Sequence, residues 1–295
     1  MGHSEHANTD SLWNEPAVSI VDLGFSYGDN SILSDVKLSL AHGEFQAIIG
    51  PNGGGKTTLL RLLLGLLTPK QGTISIFGQR PEKIRQCIGY VPQFSTLQPD
   101  FPATTLDMVL MGAAKPSARG GGWITSGLRR NKAVEYLETL GLGDCLQQQV
   151  CELSGGQRQR ALVARALMGR DDKLPFLLLL DEPTASIDPQ GTFCFYEFLD
   201  KLRHMLTIIV ASHDLTLTTP FFSKVAFVNR SLTLLPEGRL SPETLMSLFG
   251  PHLHPCPMGD ILHMSGLHNG QDCTHAGPLP TGAQTVFPDL RKTDQ

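Results

Sequence analysis

Hydrophobic and polar positions change rhythm several times along this chain. Residues 18–21 and 36–40 carry short apolar runs that predict strands, and Gly28, Asp29 and Asn30 supply the turn signal between them, so an antiparallel flank is expected. Phe45, Ala47, Ile48 and Ile49 predict another strand. After the glycine-rich stretch at 50–58, Leu59, Leu60, Leu62, Leu63 and Leu64 predict a helix, which Thr68-Pro69 ends. Strand signals return at 73–77 and 88–91. From Phe94 to about Leu174 the rhythm turns helical, with segments at 106–111, 132–140 and 157–168 and a glycine- and serine-rich loop at 115–127. Residues 176–180 then form an unbroken apolar run, the pattern of a central parallel strand buried on both faces. A helix at about 190–205, a strand at 207–211, a helical turn opened by Ser212-His213-Asp214, and a strand pair at 225–229 and 232–235 follow. Ser241-Pro242-Glu243 offers an N-cap, a first-turn proline and a first-turn acid, which predicts a helix at 242–249.

Strands alternating with helices imply an α/β core with a mostly parallel sheet covered on both faces, the antiparallel flank beside it and a helical subdomain, about 94–174, inserted into it. The expected division is a disordered N-terminus at 1–15, one domain at 16–250, and an irregular tail at 251–295 rich in His, Pro and Gly.

Composition narrows the functional classes. With 295 residues, 41% hydrophobic, the chain can bury the core of one large domain, and a net charge of −4 gives no electrostatic reason to expect nucleic acid as a partner. The polar first 16 residues lack a basic stretch followed by an apolar run, so no secretion signal is expected. Arg61 and Gly65 interrupt one leucine run and Asp181 ends another, so none reaches the roughly 18–20 residues of a membrane helix. Any membrane role would need other chains to span the bilayer. Six scattered cysteines without a paired framework fit a reducing cytosol.

The stretch at 50–58 is Gly50, Pro51, Asn52, Gly53, Gly54, Gly55, Lys56, Thr57 and Thr58. Strand, glycine loop and helix follow one another, which is the context of a phosphate-binding P-loop and makes the core a P-loop NTPase core. Glycines let backbone N–H groups turn inward, and the helix N-terminus adds its partial positive charge, so polyphosphate is held mainly by main chain. Lys56 would reach the β- and γ-phosphates, and the Thr57 hydroxyl would coordinate Mg²⁺. Asp181 and Glu182 end the buried strand, where ligands of such sheets bind. Asp181 would hold Mg²⁺, and Glu182 would orient and deprotonate the water that attacks the γ-phosphate. Leu153-Ser154-Gly155-Gly156-Gln157 is a second helix start, with Ser154 as N-cap and glycines that leave N–H groups open to an anion.

The order of these motifs, with a Gln after a short strand, D-E-P, S-x-x-D and S-H-D, resembles ATP-binding-cassette ATPases. The resemblance implies a head-to-tail dimer of two copies, each ATP lying between the P-loop of one and the L-S-G-G-Q of the other. Ser154 and Gly156 would then contact the γ-phosphate in trans. It also implies that Tyr27 stacks on adenine, that Gln93 senses Mg²⁺ and the attacking water and links the helical subdomain to a membrane partner, and that His213 contacts the γ-phosphate. Asp188, in A-S-I-D, falls in the loop that crosses the dimer interface, where the family more often has A-L-D or G-L-D. Integral-membrane permease subunits would be direct partners and an extracytoplasmic substrate-binding protein an indirect one, with the chain at the cytoplasmic face of the cell membrane.

Within the family, G-P-N-G-G-G-K-T-T-L, Phe101-Pro102, Leu106-Asp107, Val109-Leu110-Met111-Gly112 and Val228-Asn229-Arg230 resemble the zinc, manganese and iron uptake cassettes; chelated-iron and cobalamin cassettes are close relatives. A soluble cassette ATPase that remodels nucleic acid or ribosomes, and a non-catalytic nucleotide sensor, are the competing classes. The single cassette with acidic balance argues against the first, and Lys56, Glu182 and His213 against the second. His252, His254, His263, His268 and His275 with Cys256 and Cys273 have the chemistry of a zinc site, although alternate spacing in a proline-rich segment rarely closes a tetrahedron.

Overall fold

In chain order the strands are β1 (Val18–Tyr27), β2 (Asn30–Leu40), β3 (Phe45–Ile49), β4 (Gln71–Ile76), β5 (Ile88–Val91), β6 (Leu177–Asp181), β7 (Thr207–Ser212), β8 (Lys224–Asn229) and β9 (Ser231–Leu234). The helices are α1 (Thr9–Asn14), α2 (Lys56–Leu63), α3 (Thr105–Leu110), α4 (Gly127–Thr139), α5 (Gly155–Leu167) and α6 (Pro189–Leu202). The structure is a computed structural model that describes residues 9–93, 102–113, 127–171, 173–185, 187–214 and 221–235, all inside one unit, Met1–Leu240. Phe101, most of the 115–127 loop, Ser186, the turn after Asp214, the helix at 242–249 and the tail with its histidines and cysteines lie outside the described residues.

Strands β2, β1 and β4 form the antiparallel flank in that order. The β1–β2 hairpin closes on Gly28 and Asp29, with Tyr27 paired to Asn30 and Gly28 at φ 56°. Both strands run longer than the apolar pattern predicts, because a bulge at Asp22, φ 49°, breaks the alternation and resets which residues face inward. The second sheet has the order β5-β6-β7-β3-β8-β9, parallel throughout except for the antiparallel β8–β9 pair.

Alternation along the central strands divides the core in two. Leu177 and Leu179 of β6, Ile209 of β7 and Ile48 of β3 face Leu59, Leu60, Leu62 and Leu63 of α2 and the antiparallel flank. Leu178, Leu180, Ile208 and Phe45 face the other way, against Leu162 of α5 and Tyr196 and Leu199 of α6. Each fully buried leucine contributes about 2–3 kcal/mol, so a strand apolar at every position is the expected product of a sheet covered on both faces.

The inserted helices join the second core through Leu106 and Val109 of α3 and Ala133 and Leu137 of α4. Helix α3 is held at its start by a reciprocal cap, Thr104 with Asp107. The N-terminal segment corrects one expectation. The expectation of disorder covers residues 1–15; residues 1–8 lie outside the described residues, and at Thr9–Asn14 helix α1 forms because Leu12 is buried and Trp13 packs on His42 at 5.2 Å. Among the described residues no helix is long and apolar enough to cross a membrane.

Candidate active site

Four strands of the parallel sheet bring candidate chemistry to one edge of it. β3 leads into the glycine loop, β6 ends in Asp181, β7 ends in Ser212 and His213, and β5 runs through Pro92 to Gln93. The register sets these ends side by side, with Ile49 opposite Ser212 and Asp181 opposite Ala211. A cleft of about 330 Å³ opens there, lined by Ile32, Asn52, Gly53, Gly55, Lys56, Thr57, Thr58, Gln93, Glu182 and His213.

The loop fits closely around backbone. A Cβ on Gly50 would collide with the carbonyl oxygen of Val228, so only glycine is accommodated there. Gly55 is the N-cap of α2 at φ 105°, in the left-handed region, and no side chain caps the helix. The open N-terminus of α2 therefore presents its N–H groups and partial positive charge to the cleft. Lys56 is 6% exposed. Its Nζ donates to the carbonyls of Gly50 at 2.8 Å and Pro51 at 3.1 Å, and lies 3.6 Å from Glu182 Oε1.

Glu182 occupies the left-handed region, φ 48°, a conformation that costs a non-glycine residue about 1–2 kcal/mol. Its N–H donates to Ala211 O at 2.9 Å, which secures the bend. The carboxylate is nearly buried: Oε2 accepts from the His213 backbone N–H at 3.2 Å and lies 2.7 Å from His213 Nδ1, with Ser212 Oγ at 3.5 Å. Asp181 is 3% exposed; its Oδ1 accepts from Thr57 Oγ1 at 3.4 Å and its Oδ2 from Tyr90 OH at 3.4 Å. Burial raises the Asp181 carboxyl above the ordinary range, the neighbouring Glu182 charge adds to this, and the Thr57 and Tyr90 hydrogen bonds oppose it. Burial, and then the Asp181 charge, pushes the Tyr90 hydroxyl up to about 12.

This donor set suits Mg²⁺. A hydroxyl and a carboxylate are hard oxygen donors, and a divalent cation on them would offset the cost of keeping Asp181 ionised in a buried place. Among the described residues no group of three or more His, Cys, Asp or Glu side chains could hold a metal, so a cation here would take its other ligands from phosphate oxygens and water.

Not every predicted residue reaches the cleft. Tyr27 stands at the end of β1, 45% exposed, with its ring edge-on to Phe25 at 4.9 Å; the flank's contribution to the cleft wall is Ile32 instead. Gly50, Pro51 and Gly54 form the back of the loop. Ser154, Gly155, Gly156 and Gln157 start α5 elsewhere on the chain and do not line the cleft. There Ser154 Oγ accepts from Gln157 N at 3.3 Å and Gln157 Oε1 accepts from Ser154 N at 2.9 Å. Asp188 caps α6, accepting from Gly191 N at 2.8 Å. Tyr90 and Ser212 are the contributors that sequence reasoning left without a role. Tyr90 lies three residues before Gln93, but only the pairing of β5 with β6 reveals what its hydroxyl meets.

A family profile described as "ABC transporter" matches residues 33–185. The zinc transport system ATP-binding protein TroB of Treponema pallidum is 39% identical over 225 residues, 75% of this chain and 81% of that protein. Among solved structures, an inward-facing transporter described as of metal-chelate type superposes with a TM-score of 0.68 at 31% identity, covering 79% of this chain and 88% of that one. A dimeric cassette in a post-hydrolysis state, bound to ADP and Pi, superposes with a TM-score of 0.59 at 26% identity, covering 75% and 98%.

Proposed function

The chain belongs to the ABC transporter family, and on that premise we propose that it is the ATP-hydrolysing, energy-coupling subunit of a membrane importer of divalent metal ions. The observation that carries this reading is the cleft where Lys56, Thr57, Gln93, Glu182 and His213 meet at one sheet edge. The N–H groups of the glycine loop and of the first turn of α2 receive the phosphate oxygens of ATP. Lys56, already buried and held by two carbonyls, exchanges these for β- and γ-phosphate oxygens. Thr57 and Asp181 would hold Mg²⁺, which would spread the phosphate charge.

Glu182 is the general base. It takes a proton from water as the water oxygen bonds to the γ-phosphorus and the bond to the ADP oxygen breaks. His213, 2.7 Å from Glu182 Oε2, orients that carboxylate and faces the γ-phosphate. Gln93, which lines the cleft beyond β5, would reach the metal and the water, and Tyr27 would offer its ring to adenine from the exposed end of β1.

Ser154, Gly155, Gly156, Gln157 and Asp188 act across a head-to-tail dimer. The dimeric cassette among the solved structures supports a dimer, and the Ser154 side of the turn is exposed. Nucleotide contacts both copies and closes them; loss of the γ-phosphate reopens them. Permease subunits receive that motion at the cytoplasmic face of the membrane and choose the cargo, with a substrate-binding protein outside. The relative named for zinc transport supports metal as cargo. The solved structure of metal-chelate type favours a second reading, an importer of a metal chelate.

Glu182→Gln is expected to keep ATP binding, trap the closed dimer and reduce turnover by on the order of 10² or more; near-normal turnover in single-turnover assays would remove the base from Glu182. Co-purification with the permease followed by ATPase assays with free Zn²⁺, Mn²⁺ or a chelate as stimulant separates the two cargo readings.

A further inference from the structure

Asp181 is gripped on both oxygens by two elements distant in sequence. Thr57, in the first turn of α2, donates its hydroxyl to Oδ1, and Tyr90, in β5, donates its hydroxyl to Oδ2, each at 3.4 Å. The terminal torsion of an aspartate is otherwise soft, so a donor on each oxygen is what selects one orientation of the carboxylate. The Tyr90 ring is half-buried and packs against the core shared by Leu177, Leu179 and α2, which aims the hydroxyl along β6 toward its last residue. Three residues on, the same strand delivers Gln93 to the cleft.

We propose that Tyr90 is a positioning residue for metal binding: its hydroxyl fixes the Asp181 carboxylate so that Oδ1 stays directed to the Thr57 side, ready for Mg²⁺. This rests on the reading of Asp181 as an Mg²⁺ holder. Tyr90 does not line the cleft, and its effect passes through Asp181 alone.

The test is Tyr90→Phe in the full chain, which removes one oxygen and keeps the ring. Binding of a fluorescent ATP analogue is titrated with Mg²⁺ and repeated in EDTA, with thermal unfolding alongside. The Mg²⁺ concentration for half-maximal enhancement of binding should rise about 3–10-fold, the shift expected of one lost hydrogen bond of ordinary strength at a length of 3.4 Å. Affinity in EDTA should stay at the parent value, and Tyr90→Phe added to Asp181→Asn should change nothing further. A parental Mg²⁺ requirement, an equal weakening in EDTA, or additive effects in the double variant would each overturn the proposal. If Asp181→Asn alone keeps the parental Mg²⁺ requirement, the reading of Asp181 fails and this inference with it; a shifted Asp181→Asn beside an unshifted Tyr90→Phe overturns the inference only.

Discussion

Two helices of this chain begin with glycines and an N-terminus fit for an anion, yet they are finished in opposite ways. At α2 the N-cap is Gly55, no side chain caps the helix, and a buried ammonium, two acids and an imidazole crowd around the opening. At α5 the N-cap Ser154 and Gln157 satisfy each other's backbone N–H groups, and the turn lies away from the cleft. The first end is left open by its own side chains; the second is closed by its own reciprocal cap. On the proposed reading, one copy of the chain builds the binding half of a nucleotide site and would carry the closing half for a different site.

Substitutions at the two ends should therefore fail differently. Lys56→Ala should have the largest effect, a loss of turnover of more than about 10² together with weakened ATP binding by a single copy, read by nucleotide fluorescence at low protein concentration. Ser154→Ala should lower turnover roughly tenfold and cost about 1 kcal/mol through the lost cap, while single-copy ATP affinity stays unchanged. Weakened affinity in the dilute Ser154→Ala protein would erase the contrast between the two helix starts. Gly55→Ala should destabilise by about 1–3 kcal/mol in urea unfolding, because its φ is 105° and the new Cβ would lie 2.7 Å from Leu33 Cδ2. Gly156→Ala meets nothing within 4 Å, so its unfolding free energy should change by less than about 1 kcal/mol, toward greater stability.

Much of the fold was legible because burial on two faces leaves a strong trace: the leucine run of β6 and the strand of β7 lie where their apolar runs predict. The ends of elements were less legible. β1 outruns its signal because the bulge at Asp22 hides the continuation, and α1 was missed because the burial of Leu12 depends on a surface made by residues far along the chain. In the site, the meeting of Lys56 with Glu182 and of Thr57 with Asp181 was legible in the spacing, since the glycine loop and the two acids each follow a buried strand. Tyr90 and Ser212 were not, because a hydroxyl declares its role only through what the neighbouring strand places opposite it.

By itself the sequence determined which chemical groups are present, that they stand at strand ends and helix starts, and that the sheet is buried on both sides. These follow from local rules of turn, cap and hydrophobic period, which act over a few residues. The tertiary structure decided that the ends of β3, β5, β6 and β7 share one edge, that Glu182 bends through a left-handed conformation to face Lys56 and His213, and that Tyr27 and Ser154 stand outside the cleft. Those outcomes depend on strand order and register, which are set by packing between residues about 30 to about 180 positions apart and leave no local signature in the chain.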